Sequence, residues 1–480
     1  MCTSPLSVPA KSSFLSTFSN PKAFTVPCGE CLSCQYDYGD QWTLRLHYEI
    51  RDCLNSGGVP VFITLTYRNE DLPYLPVPTS IAYLDKFHFR VRSYERRPCF
   101  SYDHVKTFLR ELRRSLPFGG LRYFITGEYG SRTSRPHYHG ILFFTQKQSE
   151  FIQRLHPTWS PTNAFKRFIQ DHWTYGDCRW SKLPGAGGPG IFVTSCHAGS
   201  YVSKYVCKCV SMRVDLRNDI RKLFYDAASF RVFWKAYRCK NAHSFCRHFQ
   251  SMYFGDTLLS DINLDSDNPL LLCSPFHPVN HGVEKKFPVS RYQFRKVTHD
   301  FDKDLKIWQL NDTGLAVKKK VLIASVRSFY NLYKVCCRPL EFCGLSSLDS
   351  SSAFRLSSNF VCDLQSSGLG TDYDSFFKMF YYDYLYSQNF HCCDSLYWFS
   401  LEPSEDHLVQ FLDRQFYSSL VKSSDSSLLS VEDFPPDYLE LSDLFHNFVT
   451  LKNSIRECQV LERKKRDDEN KKMRDALYLI

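Results

Sequence analysis

His137 and His139, in Arg135-Pro136-His137-Tyr138-His139-Gly140, stand two residues apart at the start of an apolar run that continues to Phe144. The run reads as a β-strand, whose side chains alternate between faces, so both imidazoles point the same way about 7 Å apart. Two imidazoles so placed can share one metal ion. Residues 121–129 follow a Pro-Phe-Gly-Gly turn, and the loop 130–136 returns the chain into the histidine strand. In such a hairpin Glu128 lies across from His137 or His139 and offers a carboxylate to the same ion. His197 is the rival for this third position, and a pair of hydrogen-bonded sheet histidines is the plainer reading of the motif alone.

A second chemical stretch is Ser200-Tyr201-Val202-Ser203-Lys204-Tyr205-Val206-Cys207-Lys208. In a helix, positions 201, 204, 205 and 208 form one stripe, with the two phenols about 6 Å apart along the axis. Aromatic stripes usually pack into cores, but lysine is almost never buried without a partner. Tyr201 and Tyr205 flanked by Lys204 and Lys208 therefore read as a surface that handles phosphate. A third stretch, Pro27-Cys28-Gly29-Glu30-Cys31-Leu32-Ser33-Cys34, carries cysteines at steps of three. Structural zinc takes four ligands, and no second Cys-x-x-Cys pair is present. Position 38, where a ferredoxin cluster would need its fourth cysteine, is Tyr. With Cys53 or His47 as a fourth ligand, Cys28, Cys31 and Cys34 make a zinc knuckle; otherwise they are three buried thiols at the start of a helix.

The elements that must position these groups follow from periodicity. Residues 61–67 are β-branched and aromatic, a strand with Thr64 and Thr66 on one face and Ile63 and Leu65 on the other. That hydroxyl face either binds something or meets solvent. Residues 40–54, with Trp42, Leu44, Leu46 and Ile50, read as a helix. Residues 103–116 form an amphipathic helix capped by Asp103, with Val105, Phe108, Leu109 and Leu112 on one side and Lys106, Arg110, Arg113 and Arg114 around the rest. Such a basic run is a solvated face or a phosphate contact, which makes Arg110 and Arg113, with Arg135, Thr64 and Thr66, candidate DNA contacts. Residues 151–182 turn from helical to strand-like, the Gly- and Pro-rich loop 184–190 lacks phosphate-cradling spacing, and 191–194 is a short strand. The sum is an α+β fold: an antiparallel five-stranded sheet with helices on one face, followed by a mixed, mostly helical C-terminal region.

Composition agrees with a polyanionic partner. The 480 residues hold 60 Lys and Arg against 50 Asp and Glu, a net +10. Residues 1–250 hold 34 basic and 18 acidic side chains, so the positive charge belongs to the half with the motifs. Residues 343–450 hold 16 acidic and 4 basic side chains among many aromatics, a composition that folds rather than staying disordered. Twenty cysteines without a secretory signal fit reduced thiols, and no apolar stretch of about 18 residues predicts a membrane span. The expected organisation is a leader over 1–25, a basic domain with its Cys-rich segment over 26–245, an acidic aromatic-rich region over 246–450 and a charged terminal helix over 451–480.

Phe62-Ile63-Thr64-Leu65-Thr66-Tyr67, Arg135-Pro136-His137-Tyr138-His139-Gly140 and Tyr201-Val202-Ser203-Lys204-Tyr205-Val206-Cys207-Lys208 resemble, in order, the three motifs of rolling-circle replication initiators of the HUH endonuclease superfamily. Among these the sequence is similar to replication proteins of small single-stranded DNA phages, the gokushovirus branch of the microviruses, whose Cys-rich N-terminal segment resembles residues 27–34. The resemblance covers roughly residues 25–240; Cys207 and Cys209 stand where relatives commonly have polar residues. It implies site-specific nicking and rejoining of origin DNA through a 5′-phosphotyrosine, with Mg²⁺ or Mn²⁺ on His137, His139 and Glu128. It also implies Tyr201 and Tyr205 as alternating nucleophiles, Lys204 and Lys208 assisting them, a host helicase and DNA polymerase as partners, and action in the host bacterial cytoplasm. A transposase or plasmid replication protein of the same superfamily is a neighbouring alternative, although relaxases generally place the tyrosine before a three-histidine site. A non-catalytic zinc-dependent DNA-binding protein built on the cysteines is the alternative from another class, and it leaves the histidines and tyrosines without a purpose.

Overall fold

The computed structural model describes residues 6–9, 23–85, 88–130, 133–180, 191–266, 268–277, 279–280, 283–304, 306–337, 351–387, 397–398, 400–420 and 438–477. The loop 184–190 and most of the leader lie outside the described residues. A small ribbon of β1 (Leu6–Pro9) and β2 (Ala23–Val26) precedes α1 (Leu32–Asn55) and β3 (Val59–Thr66). A long hairpin of β4 (Tyr74–Tyr83) and β5 (Phe89–Pro98) leads to α2 (Tyr102–Ser115), β6 (Arg122–Tyr129) and β7 (Pro136–Phe144). Then come α3 (Gln146–Leu155), α4 (Pro161–His172), β8 (Cys178–Arg179), α5 (His197–Arg221), α6 (Ala227–Lys240) and β9 (His248–Gln250). The chain divides into two compact units, one of Gln35–Ile262 with Leu271–Ser290, the other of Met1–Cys34, Asn263–Leu270 and Arg291–Ile480.

In the first unit, five antiparallel strands form one sheet in the order β8-β3-β7-β6-β9. The α+β class and the five strands are as the sequence predicts, but the helices cover both faces rather than one. The cause is local: β3 is buried at six consecutive positions, and a strand whose two faces are both apolar must be covered twice. On one face Ile63, Ile125, Tyr138 and Leu142 pack against Val105, Phe108 and Leu112 of α2 and Phe165 of α4. On the other, Phe62, Phe124, Ile141 and Phe143 pack against Trp42, Leu46 and Ile50 of α1 and Val202 and Val206 of α5. Gly140 is required where β7 meets β6, since a Cβ there would lie 2.7 Å from the Phe124 carbonyl oxygen. The cap of α2 is Ser101, which accepts from the His104 N–H, and not Asp103. The helix starts one residue earlier than its apolar pattern, leaving Asp103 in the first turn, where its charge still favours the helix dipole.

His47 joins α1 to α5. It is 1% exposed, with Nδ1 2.7 Å from Ser274 Oγ and Nε2 3.1 Å from Ser200 Oγ. Burial pushes its pKa down to about 4, helped by the nearby positive charge of Lys285 and opposed by the Cys196 carbonyl. A base depressed on folding contributes stability that is complete above its unfolded value near 6.5 and is lost as pH falls toward the folded value. Between pH 7 and pH 4 the His47 contribution should fall by on the order of 3 kcal/mol. Urea unfolding at both pH values should show a shallower pH dependence for His47→Gln than for wild type; equal slopes would refute this.

The second unit contains α7 (Arg291–Thr298), α8 (Asp312–Cys336), α9 (Ser351–Ser366), α10 (Tyr373–Ser387), α11 (Glu405–Leu420) and α12 (Tyr438–Leu477). Its core is aromatic, with Tyr333, Phe360, Phe376, Phe380, Phe445 and Phe448 together, which explains the aromatic richness of the acidic stretch. The terminal helix begins at Tyr438, ahead of the predicted start at 451, because Leu441, Leu444, Phe445 and Phe448 extend its buried stripe. No described helix is long and apolar enough to cross a membrane.

Candidate active site

The register of the sheet assembles the site. Across β3 and β7, Thr64 pairs with His139 and Thr66 with His137; across β6 and β7, Glu128 pairs with His137 and Thr126 with His139. Directly paired residues share a face. Glu128 Oε2 lies 3.2 Å from His137 Nε2 and 3.0 Å from His139 Nε2, and the two imidazoles stand at 89° with centroids 4.8 Å apart. Each ring is fixed from behind: His139 Nδ1 is 2.9 Å from Thr64 Oγ1, and His137 Nδ1 is 3.3 Å from the Arg135 carbonyl oxygen.

This donor set fits a divalent cation. A carbonyl oxygen only accepts, so His137 Nδ1 carries the proton in the neutral ring and Nε2 turns a lone pair toward the Glu128 carboxylate. Two lone pairs so close repel unless a proton or a cation lies between them. Ligands at right angles on an ion with bonds of about 2.1 Å lie roughly 3 Å apart, in line with the spacing here. The three ligand atoms of Glu128, His137 and His139 lie within 4.8 Å of one another. Burial raises the Glu128 carboxyl, but hydrogen bonds from His137, His139 and Lys208, with the Lys208 charge, outweigh it and hold the group well below the usual carboxylate range. For His139 burial prevails and lowers its pKa, which keeps a ligand's lone pair available.

Helix α5 brings the tyrosine stripe onto this face. Tyr205 is 6% exposed and stacks on His139 at 4.5 Å and 17°. Tyr201, half-buried, meets Tyr205 edge-on at 5.2 Å and His139 at 5.9 Å. Lys208 Nζ bonds to Glu128 Oε1 and sits 4.6 Å from the centre of the Tyr205 ring; Lys204, on the same stripe, is exposed. Burial, then the Glu128 charge, raises the Tyr205 phenol, and burial likewise raises Tyr201. Both hydroxyls are therefore held protonated in this arrangement, and positive charge arriving beside them would lower them.

Residues 60–209, the segment that carries every one of these groups, match the family model of replication-associated protein ORF2. That segment is a replication-associated domain. Replication-associated protein VP4 of Bdellovibrio phage phiMH2K is 25% identical over 183 residues, 38% of this chain and 48% of that protein. Replication-associated protein ORF2 of Spiroplasma virus 4 is 30% identical over 123 residues, 25% of this chain and 32% of that protein. The chain thus spans about half of one relative's length and about a third of the other's. No solved structure matches.

The replication-associated domain places the other predicted residues less uniformly. Thr64 is buried and orients His139, a second role for the motif that strand alternation alone does not reveal. Thr66 donates to the Asp177 carbonyl, and Arg135 clamps the loop before β7 to Asn69 and to the Tyr67 carbonyl. Arg110 and Arg113 lie on the opposite face of the sheet from the histidines, because α2 packs on the Ile63 side. There, with Lys106, Arg114, Tyr123 and Phe249, they line a cleft of about 380 Å³. His197 is exposed at the start of α5 and is not one of the three grouped ligands.

In the other unit Cys28, Cys31 and Cys34 bring their sulfurs within 4.8 Å of one another. Cys28 Sγ accepts from the backbone N–H of Glu30 at 3.4 Å and Cys31 at 3.2 Å, and Gly29 supplies the left-handed φ of 73° that folds the chain over it. Neither suggested fourth ligand belongs to this group among the described residues. His47 is held by Ser274 and Ser200, and Cys53 points its thiol at the Phe144 carbonyl.

Proposed function

We propose that this chain is a phage rolling-circle replication initiator that nicks and rejoins single-stranded origin DNA through a 5′-phosphotyrosine intermediate. One observation carries the reading: Glu128, His137 and His139 converge within 4.8 Å, and Tyr205 stacks on His139 at 4.5 Å. A divalent ion, Mg²⁺ or Mn²⁺, held by these three residues would polarise the scissile phosphate and neutralise charge developing on it. The phenol oxygen of Tyr201 or Tyr205 forms a bond to phosphorus as the bond from phosphorus to the 3′ oxygen breaks; the phenol gives up its proton and the 3′ oxygen gains one. Lys208, beside the Tyr205 ring and on Glu128, supplies positive charge that favours the phenolate, with Lys204 nearby to meet phosphate. A phenol is a better leaving group than an alkyl alcohol, so the intermediate keeps the bond energy, and the second tyrosine can attack when the origin returns. The free 3′-hydroxyl would prime a host polymerase behind a host helicase, in the host bacterial cell.

The test is incubation with labelled circular single-stranded DNA of a related phage and Mn²⁺. The expected product is a protein–DNA species that survives boiling in detergent and disappears with EDTA. Nicked DNA with free ends on both sides would point to a hydrolytic nuclease and sink the proposal.

For the cysteines we propose a structural Zn²⁺, supported by the three converging sulfurs and the N–H donors on Cys28, which suit a thiolate. Purified protein should contain zinc, and Cys28→Ser should lower soluble yield more than cleavage per folded molecule. Zinc-free protein with a normally behaving variant would leave three plain thiols.

A further inference from the structure

The hairpin of β4 and β5 stands outside the five-stranded sheet. Its register runs from Tyr74 opposite Pro98, through Pro76 opposite Arg96 and Pro78 opposite Tyr94, to Ala82 opposite Arg90. Alternation gives it two faces. On one, Leu75, Val77 and Phe89 pack with Ile220, Phe224 and Tyr237 from the far end of α5 and from α6. The other carries Arg90, Arg92, Tyr94 and Arg96, all exposed, with Tyr94 at 56%; a bulge beside Arg92 turns its side chain outward. The Arg96 guanidinium lies 4.5 Å over the Tyr74 ring. The strand's acid, Glu95, lies on the packed face beside Arg97, and among the described residues no carboxylate pairs with Arg90, Arg92 or Arg96.

We propose that this arm grips the DNA duplex flanking the nicked strand, its arginines on phosphates. A solvated face ordinarily mixes signs, whereas this one is uniformly cationic with aromatics interleaved. Arg90 and Arg92 lie about 7 Å apart along the strand, close to the rise of two base pairs. A two-stranded antiparallel ribbon also fits a major groove about 12 Å wide. The arm's apolar face is fixed to α5, so the element that holds DNA is rigidly tied to the helix bearing Tyr201 and Tyr205. The rival role is protection of an exposed strand edge, which arginine and proline also provide.

The inference rests on the DNA-nicking reading only for its partner, and the experiment separates the two. Full-length wild type and the triple variant Arg90→Ser, Arg92→Ser, Arg96→Ser are titrated with a 30-base-pair duplex and a 30-nucleotide single strand at several salt concentrations. The variant should bind duplex about 10- to 100-fold more weakly, with the slope of log affinity against log salt shallower by about 2.7, while cutting the single strand at the wild-type rate. Restoring charge with lysine at all three positions should recover most of the slope, which excludes misfolding as the cause. Unchanged duplex affinity and slope would overturn the proposal in favour of edge protection or an acidic protein partner. Equal weakening on both probes would overturn the duplex assignment. Loss of duplex binding by a protein whose wild type cuts nothing would uphold the arm and defeat the nicking reading.

Discussion

Replacing Tyr201 and Tyr205 together by phenylalanine is expected to eliminate the covalent protein–DNA adduct while leaving Mn²⁺ bound, because neither phenol is among the three converging ligands. Each single replacement should retain cleavage within about tenfold of wild type, since one hydroxyl remains beside the same centre, yet neither should release unit-length circles. The geometry makes the two phenols unequal in surroundings but not in reach. Tyr205 stacks on His139, and Tyr201 sits 5.2 Å from Tyr205 and 5.9 Å from the same imidazole. Cleavage assays on a single strand, with circle release scored on a replicating template, read both outcomes. A dead single variant beside one that replicates normally would make this a one-tyrosine initiator whose second phenol is structural.

His139→Ala should cost at least about a thousandfold in cleavage, the scale expected when an ion worth several kcal/mol of transition-state stabilisation is lost. His139 is the hinge of the site: its Nε2 faces Glu128, its Nδ1 meets Thr64 and its ring carries Tyr205. His137→Ala should also abolish cleavage, with less disturbance of the tyrosines, since it turns its ring edge toward His139 and its Nδ1 to a backbone carbonyl. DNA affinity should change little in either variant, because basic side chains elsewhere supply most of the binding. Full nicking by the double histidine variant in a filter-binding and cleavage comparison would remove the metal assignment.

The legible part of this site is the part written in short periods. Two-residue alternation puts His137 and His139 on one face, the turn before residue 121 makes a hairpin that carries Glu128 to them, and a helical stripe joins Tyr201 to Tyr205 and Lys208. What the local pattern does not contain is cross-strand register, and register is what buries Thr64 under His139. The same limit explains the helices: β3 is apolar on both faces below Thr64, yet which helix covers each face is decided by contacts far apart in sequence, such as Trp42 with Phe124. Arg110 and Arg113 illustrate the cost of reading charge without sheet geometry, since their helix packs on the side away from the histidines. The β4–β5 arm was hidden by its own composition: Pro76 and Pro78 break the strand pattern, and the apolar residues of its packed face alternate with arginines that read as loop. Strand β9, three residues long, is too short to leave a periodic signal.

The most direct measurement is the identity of the residue joined to DNA. After reaction with a single-stranded origin fragment, nuclease trimming and proteolysis, mass spectrometry should find a nucleotide on the peptide spanning 200–208, on Tyr201 in part of the sample and Tyr205 in the rest. Attachment at a tyrosine outside α5, at a serine, or to no residue at all while the strand is cut would contradict the account.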